Sequence, residues 1–302
     1  MLRLFATVSV LALIISACTP EAADAPAPET PATSETEEAA AVKPAAVEAE
    51  TPATEPRDFQ LSYKLESDNY TVTSEIDPAI LAFDAPIAWR LWNEAKPALD
   101  EFGAQADADR KSADEYAAET GEEPWFFGYS LDYTYRANAV FEDLISITQN
   151  VGAFSGGAHP NYFLGGGNYL KGAARPVALS DVVKDETAFG ELVIAALVEE
   201  KLERGYEASA PSDIDASVRE MLASTPELPD LYKGKWVLEA STVPGKIGGI
   251  SVLFSPYDVG SYAEGSYVAT LPASALAPIL TDAWAPRFGG EPLAEEVDAE
   301  AP

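Results

Sequence analysis

The sequence predicts an α+β protein: antiparallel sheets packed with helices in two adjoining lobes, behind a signal peptide and a disordered tether. Three observations predict it. Apolar and polar residues alternate over 61–76 and 129–136, the period of half-buried strands. Segments with helical spacing stand at 79–118 and 186–205. The pattern then restarts near residue 184, so each half has strands and helices of its own.

Residues 1–17 read as an export signal. Arg3 supplies the positive end and Leu4 to Ile15 the apolar run, too short for a permanent membrane span of about 20 residues. Ile15-Ser16-Ala17-Cys18 resembles a bacterial lipobox. That resemblance implies cleavage before Cys18, a thioether-linked lipid on its sulfur and acylation of the new amine. Each buried methylene adds about 0.8 kcal/mol of membrane affinity, so several chains anchor stably where one does not. Thr19 is not the aspartate of inner-membrane retention, which points to an outer membrane and a periplasmic location. Residues 18–57 are rich in Ala, Pro, Glu and Thr and too poor in large apolar groups to offset their ordering entropy. As an extended tether they reach about 120 Å.

The N-terminal lobe spans 58–183. Leu61, Tyr63 and Leu65, then Tyr70, Val72 and Ile76, form a hairpin around Ser67-Asp68-Asn69. Residues 79–118 are helical, with Asp84 as cap and Pro86 in the first turn; Pro97 predicts a kink or two helices. Trp89 and Trp92 fall on the apolar face, where core packing outweighs a ligand platform. Tyr129 to Arg136 alternate strictly, and Val140 to Val151 continue as a partner strand. Then comes a Gly156-Gly157-Ala158-His159-Pro160 turn, closed by two glycines free to take positive φ, and a strand from Phe163 to Leu170.

The C-terminal lobe spans 184–288. Phe189, Leu192, Val193, Ala196 and Leu197 make an amphipathic helix ending near Gly205, and 213–224 a second. Lys235–Ala240, Ile247–Phe254 and Ser266–Leu271 read as strands, Ser255–Gly265 as a loop with Tyr257 and Tyr262, and Pro272–Leu280 as a short helix. Residues 289–302 read as a disordered acidic tail.

The totals exclude several chemistries. With 50 acidic and 19 basic residues the net charge is -31, which repels nucleic acid and anionic headgroups. The excess is not only in the tails: 58–290 holds 36 acids against 16 bases, suited to a basic partner. One cysteine and one histidine allow neither an intramolecular disulfide nor a His/Cys zinc site, and no cofactor motif is found. A Ser/His/Asp triad would need His159 as its base, with Ser155 crowded into the same turn and no G-x-S-x-G elbow. No catalytic residue is assigned.

Two motifs carry a resemblance. Ser155-Gly156-Gly157-Ala158-His159-Pro160-Asn161, with Asn168-Tyr169-Leu170 and Leu179-Ser180-Asp181, resembles the centre of PdaC/RsiV-type extracellular domains. Phe254-Ser255-Pro256-Tyr257 through Tyr262-Ala263-Glu264-Gly265, then Leu271-Pro272 and Leu276, is similar to their C-terminal signature. Together they cover about 58–285. In relatives the module is the outer part of a lysozyme-binding anti-sigma factor, or an accessory to a peptidoglycan deacetylase. The sigma-binding segment, membrane helix and deacetylase domain of those relatives have no counterpart in this chain. The resemblance therefore implies a non-catalytic envelope lipoprotein that binds a lysozyme-like basic protein or peptidoglycan. An enzyme acting on wall glycan and a structural or assembly lipoprotein are the alternatives. Gly156, Gly157, His159, Asn161, Tyr257 and Tyr262 are the candidate ligand-binding or structural residues.

Overall fold

Residue alternation and one polar turn build the first hairpin. Strand β1 (Ser62–Glu66) pairs antiparallel with β2 (Tyr70–Ile76). The Ser67 hydroxyl between them accepts from the N–H groups of Asn69 at 3.2 Å and Tyr70 at 3.1 Å. The structure, a computed structural model, describes residues 54–173, 175–205, 210–224 and 235–293, all within one compact unit. The signal segment, Cys18, most of the tether and the tail beyond Leu293 lie outside the described residues.

Helix α1 (Pro78–Phe83) follows, capped by the Asp77 carboxylate, which accepts from Ala79 N at 2.8 Å. Helix α2 (Ala85–Thr120) then runs unbroken through Pro97, where the sequence suggested a kink or a second helix. Pro97 lies on the exposed side, so the Asn93 carbonyl that loses its donor stands on the solvent face. Asp84 holds the cap position of α2 but makes no side-chain cap bond; its carboxylate accepts from Gly172 N at 2.6 Å instead. Trp92 is 1% exposed, wedged edge-on between Phe59 and Tyr63, so its ring is core. Gly121 ends α2 at φ 77°.

Strand β3 (Tyr129–Val140) runs parallel to β2, a departure from the all-antiparallel expectation. Periodicity does not encode strand direction; the α1–α2 crossover is long enough to return the chain in the same sense. β3 pairs antiparallel with β4 (Leu144–Phe154), and β4 with β5 (Asn161–Leu170), giving the order β1-β2-β3-β4-β5. Helix α2 covers β2 and β3 on one face.

Residues 177–183, including the short helix α3 (Leu179–Val182), pack into the second lobe's core rather than the first. Helices α4 (Glu186–Arg204) and α5 (Pro211–Ser224) lie against one another, with α4 on the sheet β6 (Trp236–Ala240), β7 (Ile247–Phe254) and β8 (Tyr267–Pro272), order β6-β7-β8. Phe189, Val193 and Leu197 of α4 share one buried core with Ile250, Val252 and Phe254 of β7. Helix α6 (Ala273–Leu276) is one turn, shorter than the sequence suggested. The hydrogen-bonded body continues to Leu293, whose N–H donates to Ala240 O at 2.8 Å.

The two sheets meet where the outer edge of β6 lies against the second face of β4 and β5. Asn168 Oδ1 accepts from Leu238 N at 2.9 Å and from Ser146 Oγ at 2.7 Å, while its Nδ2 donates to Trp236 O at 3.1 Å. Ser146 Oγ also accepts from Leu238 N at 2.8 Å, and Asn138 Nδ2 donates to Leu238 O at 3.1 Å. Gly166 makes the approach possible: a Cβ there would stand 2.5 Å from Val237 Cγ1. Asn168→Ala leaves the Trp236 carbonyl without this donor and removes one acceptor of Leu238 N. We expect it to destabilise the full chain by about 3 kcal/mol in urea unfolding; a loss below about 1 kcal/mol shows the lobes joined otherwise.

Candidate functional site

The β4–β5 connection supplies the first half of the site. Gly156 and Gly157 take φ values of 92° and 111°, which let the chain reverse within a few residues. His159 Nδ1 donates to the carbonyl of Pro160 at 2.9 Å, since a carbonyl oxygen can only accept. The imidazole is thereby held in its own turn.

The second lobe supplies the other half through the loop after β7. Tyr262 stacks on the His159 ring at 3.7 Å between centroids, and its hydroxyl donates to Pro160 O at 2.7 Å. Tyr257 stands 5.5 Å from Tyr262, ring to ring. Residues about a hundred positions apart thus form one aromatic cluster, and three of the six candidates meet in it. Gly156 and Gly157 shape its turn; Asn161 opens β5, exposed and outside the cluster's contacts.

The loop is pinned at several points. Ser255 Oγ accepts from Leu164 N of β5 at 3.0 Å. Asp258 accepts from Ser255 N at 2.7 Å and from the Lys235 ammonium. Glu264 accepts from Lys201 Nζ at 2.7 Å, the Tyr267 hydroxyl at 2.7 Å and Ser261 N at 2.6 Å. Lys201 is 1% exposed, so this ion pair is buried on its cationic side. Within so fixed a loop Tyr257 takes φ 73°, unusual for a bulky residue, while the residue stays 57% exposed.

Sequence reasoning missed two neighbours. Asp132, Gly152 and Tyr162 stand in one row across β3, β4 and β5. Gly152 leaves room for the Asp132 carboxylate, whose Oδ1 would be 2.4 Å from a Cβ placed there. Burial raises Asp132 above the ordinary carboxylate range, opposed by the Gly152 N–H. Burial also raises Tyr162, and Tyr262 and Asp132 add to the shift. Both are polar-side positions of alternating strands, so period alone marks them as solvated. Trp125 and Phe127, 74% and 63% exposed, precede β3 and leave the same sheet end as the His159 turn; their exposure was not legible either. Among the described residues no His/Cys/Asp/Glu group is placed to hold a metal, and no helix is long and apolar enough to cross a membrane.

The arrangement brings together aromatic faces, an imidazole and one carboxylate. No family model matches the chain, and no curated protein matches it. Similar solved structures are DUF3298 family proteins. One from Bacteroides fragilis NCTC 9343 has a TM-score of 0.45 and 14% identity, covering 73% of this chain and 92% of its own. One from Pseudomonas aeruginosa PAO1 has a TM-score of 0.44 and 16% identity, covering 78% and 99%.

Glu264 gives the site an acid limit. Burial alone would raise it, but the bonds from Lys201, Tyr267 and Ser261 outweigh that and hold it at about 2, below 4.5. A depressed carboxyl contributes stability that is full above pH 4.5 and is lost as pH falls toward 2. Glu264→Gln should cost about 3 kcal/mol at neutral pH, by taking the carboxylate away from buried Lys201, and should flatten the loss of stability between pH 4.5 and 2. Urea unfolding at stepped pH measures both; an unchanged acid limb assigns it to other carboxylates.

Proposed function

We propose that this chain is a lipid-anchored, non-catalytic binding protein of the cell envelope, a PdaC/RsiV-type module held through acylated Cys18. Its place is the outer membrane, facing the periplasm, and its ligand is a lysozyme-like basic protein. The observation that carries this reading is the junction: Tyr257, 57% exposed, stands on left-handed backbone beside the stacked His159–Tyr262 pair. A large, rigid aromatic ring is the usual anchor of an interface. The 36 acids against 16 bases of 58–290 support a cationic partner, whose approach long-range attraction speeds. His159 engages the Pro160 carbonyl and a tyrosine ring, which supports recognition over acid–base chemistry.

Peptidoglycan is a second reading, favoured by aromatic faces beside the Asp132 carboxylate, since sugars offer apolar ring faces and hydroxyls together.

Titrating the full chain with a cationic lysozyme tests the first reading. Binding should weaken as salt rises. Tyr257→Gly should lower affinity about tenfold, or 1.4 kcal/mol. It should change unfolding stability by no more than about 1 kcal/mol, because glycine takes the same φ without strain. No binding at low salt removes this partner. For the anchor, mass spectrometry of protein extracted from envelopes should find acyl chains on Cys18 and none in Cys18→Ala; a wild-type protein without them removes the lipid.

A further inference from the structure

Between α2 and β3 the chain runs as a strap over residues 121–128, outside any helix or strand. Pro124 fixes its own φ and pushes Glu123 toward extended backbone, so the strap is stiff for its length. Burial alternates along it. Pro124 and Phe126 are half-buried, whereas Trp125 and Phe127 stand exposed. Phe126 is the fixed ring. It stacks on Tyr129 at 5.0 Å between centroids, and the Tyr129 hydroxyl donates to Asp109 of α2 at 3.0 Å. One held ring thus displays a free one on either side of it in sequence.

The strap itself shows what such a ring takes. The Arg110 guanidinium lies 5.7 Å from the Phe126 centroid and meets Asp114 at 2.9 Å, so one cation has a ring face and a carboxylate together. The same ingredients recur around the exposed rings. Glu122 and Glu123 directly precede Pro124 and Trp125, and Glu119 lies in the last turn of α2. All three acids are exposed, and among the described residues none of them meets a base. Two exposed rings beside three unpaired carboxylates contribute little to this fold. Apolar groups of this size within a charged rim mark a contact surface.

The strap stands beside the aromatic junction. Its foot, Tyr129, opens β3, and the His159 turn joins β4 to β5 at the same end of the sheet. Two strand spacings, about 10 Å, cross the sheet from β3 to β5. Four residues carry Trp125 at most about 14 Å from the foot. A standard interface covers about 800 Å² of each partner, a disc roughly 30 Å wide, so one partner spans both.

We propose that this strap is a second docking arm for a cationic protein: Trp125 and Phe127 take its guanidinium and ammonium groups on their ring faces, and Glu119, Glu122 and Glu123 face their charge. The arm rests on the basic-partner reading of the junction and adds a contact which that reading does not use. Charge decides the occupant. A second copy of this chain brings the same unpaired carboxylates and is repelled, and anionic headgroups are repelled likewise.

The test is titration of the full chain with a cationic lysozyme at two salt concentrations that both permit binding. Trp125→Ser combined with Phe127→Ser should weaken binding at least tenfold at both, because ring contacts act at short range. Glu122→Gln combined with Glu123→Gln should weaken it about threefold at low salt and leave it unchanged at high salt. Trp125→Tyr combined with Phe127→Tyr should keep most of the affinity, and every variant should keep the thermal midpoint. Unchanged affinity in the serine variant, beside a wild type that binds, overturns the arm and leaves the lysozyme reading standing. A wild type that does not bind overturns both. A wild-type dimer in sedimentation that the serine variant loses assigns the rings to a second copy and overturns the arm as well.

Discussion

One amide organises the two lobes. Asn168 presents its carbonyl to Leu238 N and its NH2 to Trp236 O, which is what a neighbouring strand would offer the edge of β6. Ser146 and Asn138 complete the imitation from the same sheet. A buried strand edge without partners would strand several backbone groups, each at about 1–3 kcal/mol. Side chains from β3, β4 and β5 remove that cost, so a three-stranded sheet docks edge-on to a five-stranded one. The aromatic cluster depends on this docking. With β6 fixed against β5, the loop after β7 brings Ser255 to Leu164 and Tyr262 to Pro160. The site is a product of the lobe junction, not of either lobe.

Most of the elements were legible because they are periodic. The strands with one apolar face announced themselves by alternation, and α4 by its 3.6-residue spacing closed by Gly205 at φ 67°. What was not legible involves partners distant in sequence. The run Gly165-Gly166-Gly167 is visible to any reader, but its reasons are a Val237 methyl seventy positions on and the Tyr169 ring. The parallel pairing of β2 with β3 leaves no mark on either strand's pattern. Pro97 misled because its cost depends on which side of the helix it falls. His159, Tyr257 and Tyr262 were reached through motifs, while Asp132 and Tyr162 looked like the wet side of their strands.

The charge distribution has an internal logic. Many of the bases are already engaged: Lys201 with Glu264, Lys235 with Asp258, Arg219 with Glu191 and Asp215, Arg287 with Asp143. Apart from Lys201 with Glu264, which is buried on its cationic side, exposed pairs of this kind add little stability, typically under about 1 kcal/mol. Their consequence is for the field. Each pair cancels locally, and the remaining acids of a body with 36 acids and 16 bases set its sign at distance. Under the proposed function, attraction of a cationic partner would need no specific contact, and contact itself would fall to the aromatic groups.

The loop that carries Tyr257 is built to hold still. Ser255, Asp258 and Glu264 tie it to β5, to Lys235 just before β6, and to α4. Arg204 adds a bond to Glu264 O at 3.1 Å and lies 4.1 Å from the Tyr267 centroid. A tyrosine kept in left-handed backbone costs on the order of 1–2 kcal/mol. Burial of the ring does not offset this, since 57% of the residue stays exposed. The surrounding bonds hold the strain, and the ring is presented already ordered. Association ordinarily loses about 0.5–1.5 kcal/mol for each side chain it immobilises, and a pre-ordered ring avoids most of that loss. Under the proposed function, rigid backbone, strained φ and an exposed aromatic face would work together, because the ring would meet its partner already ordered.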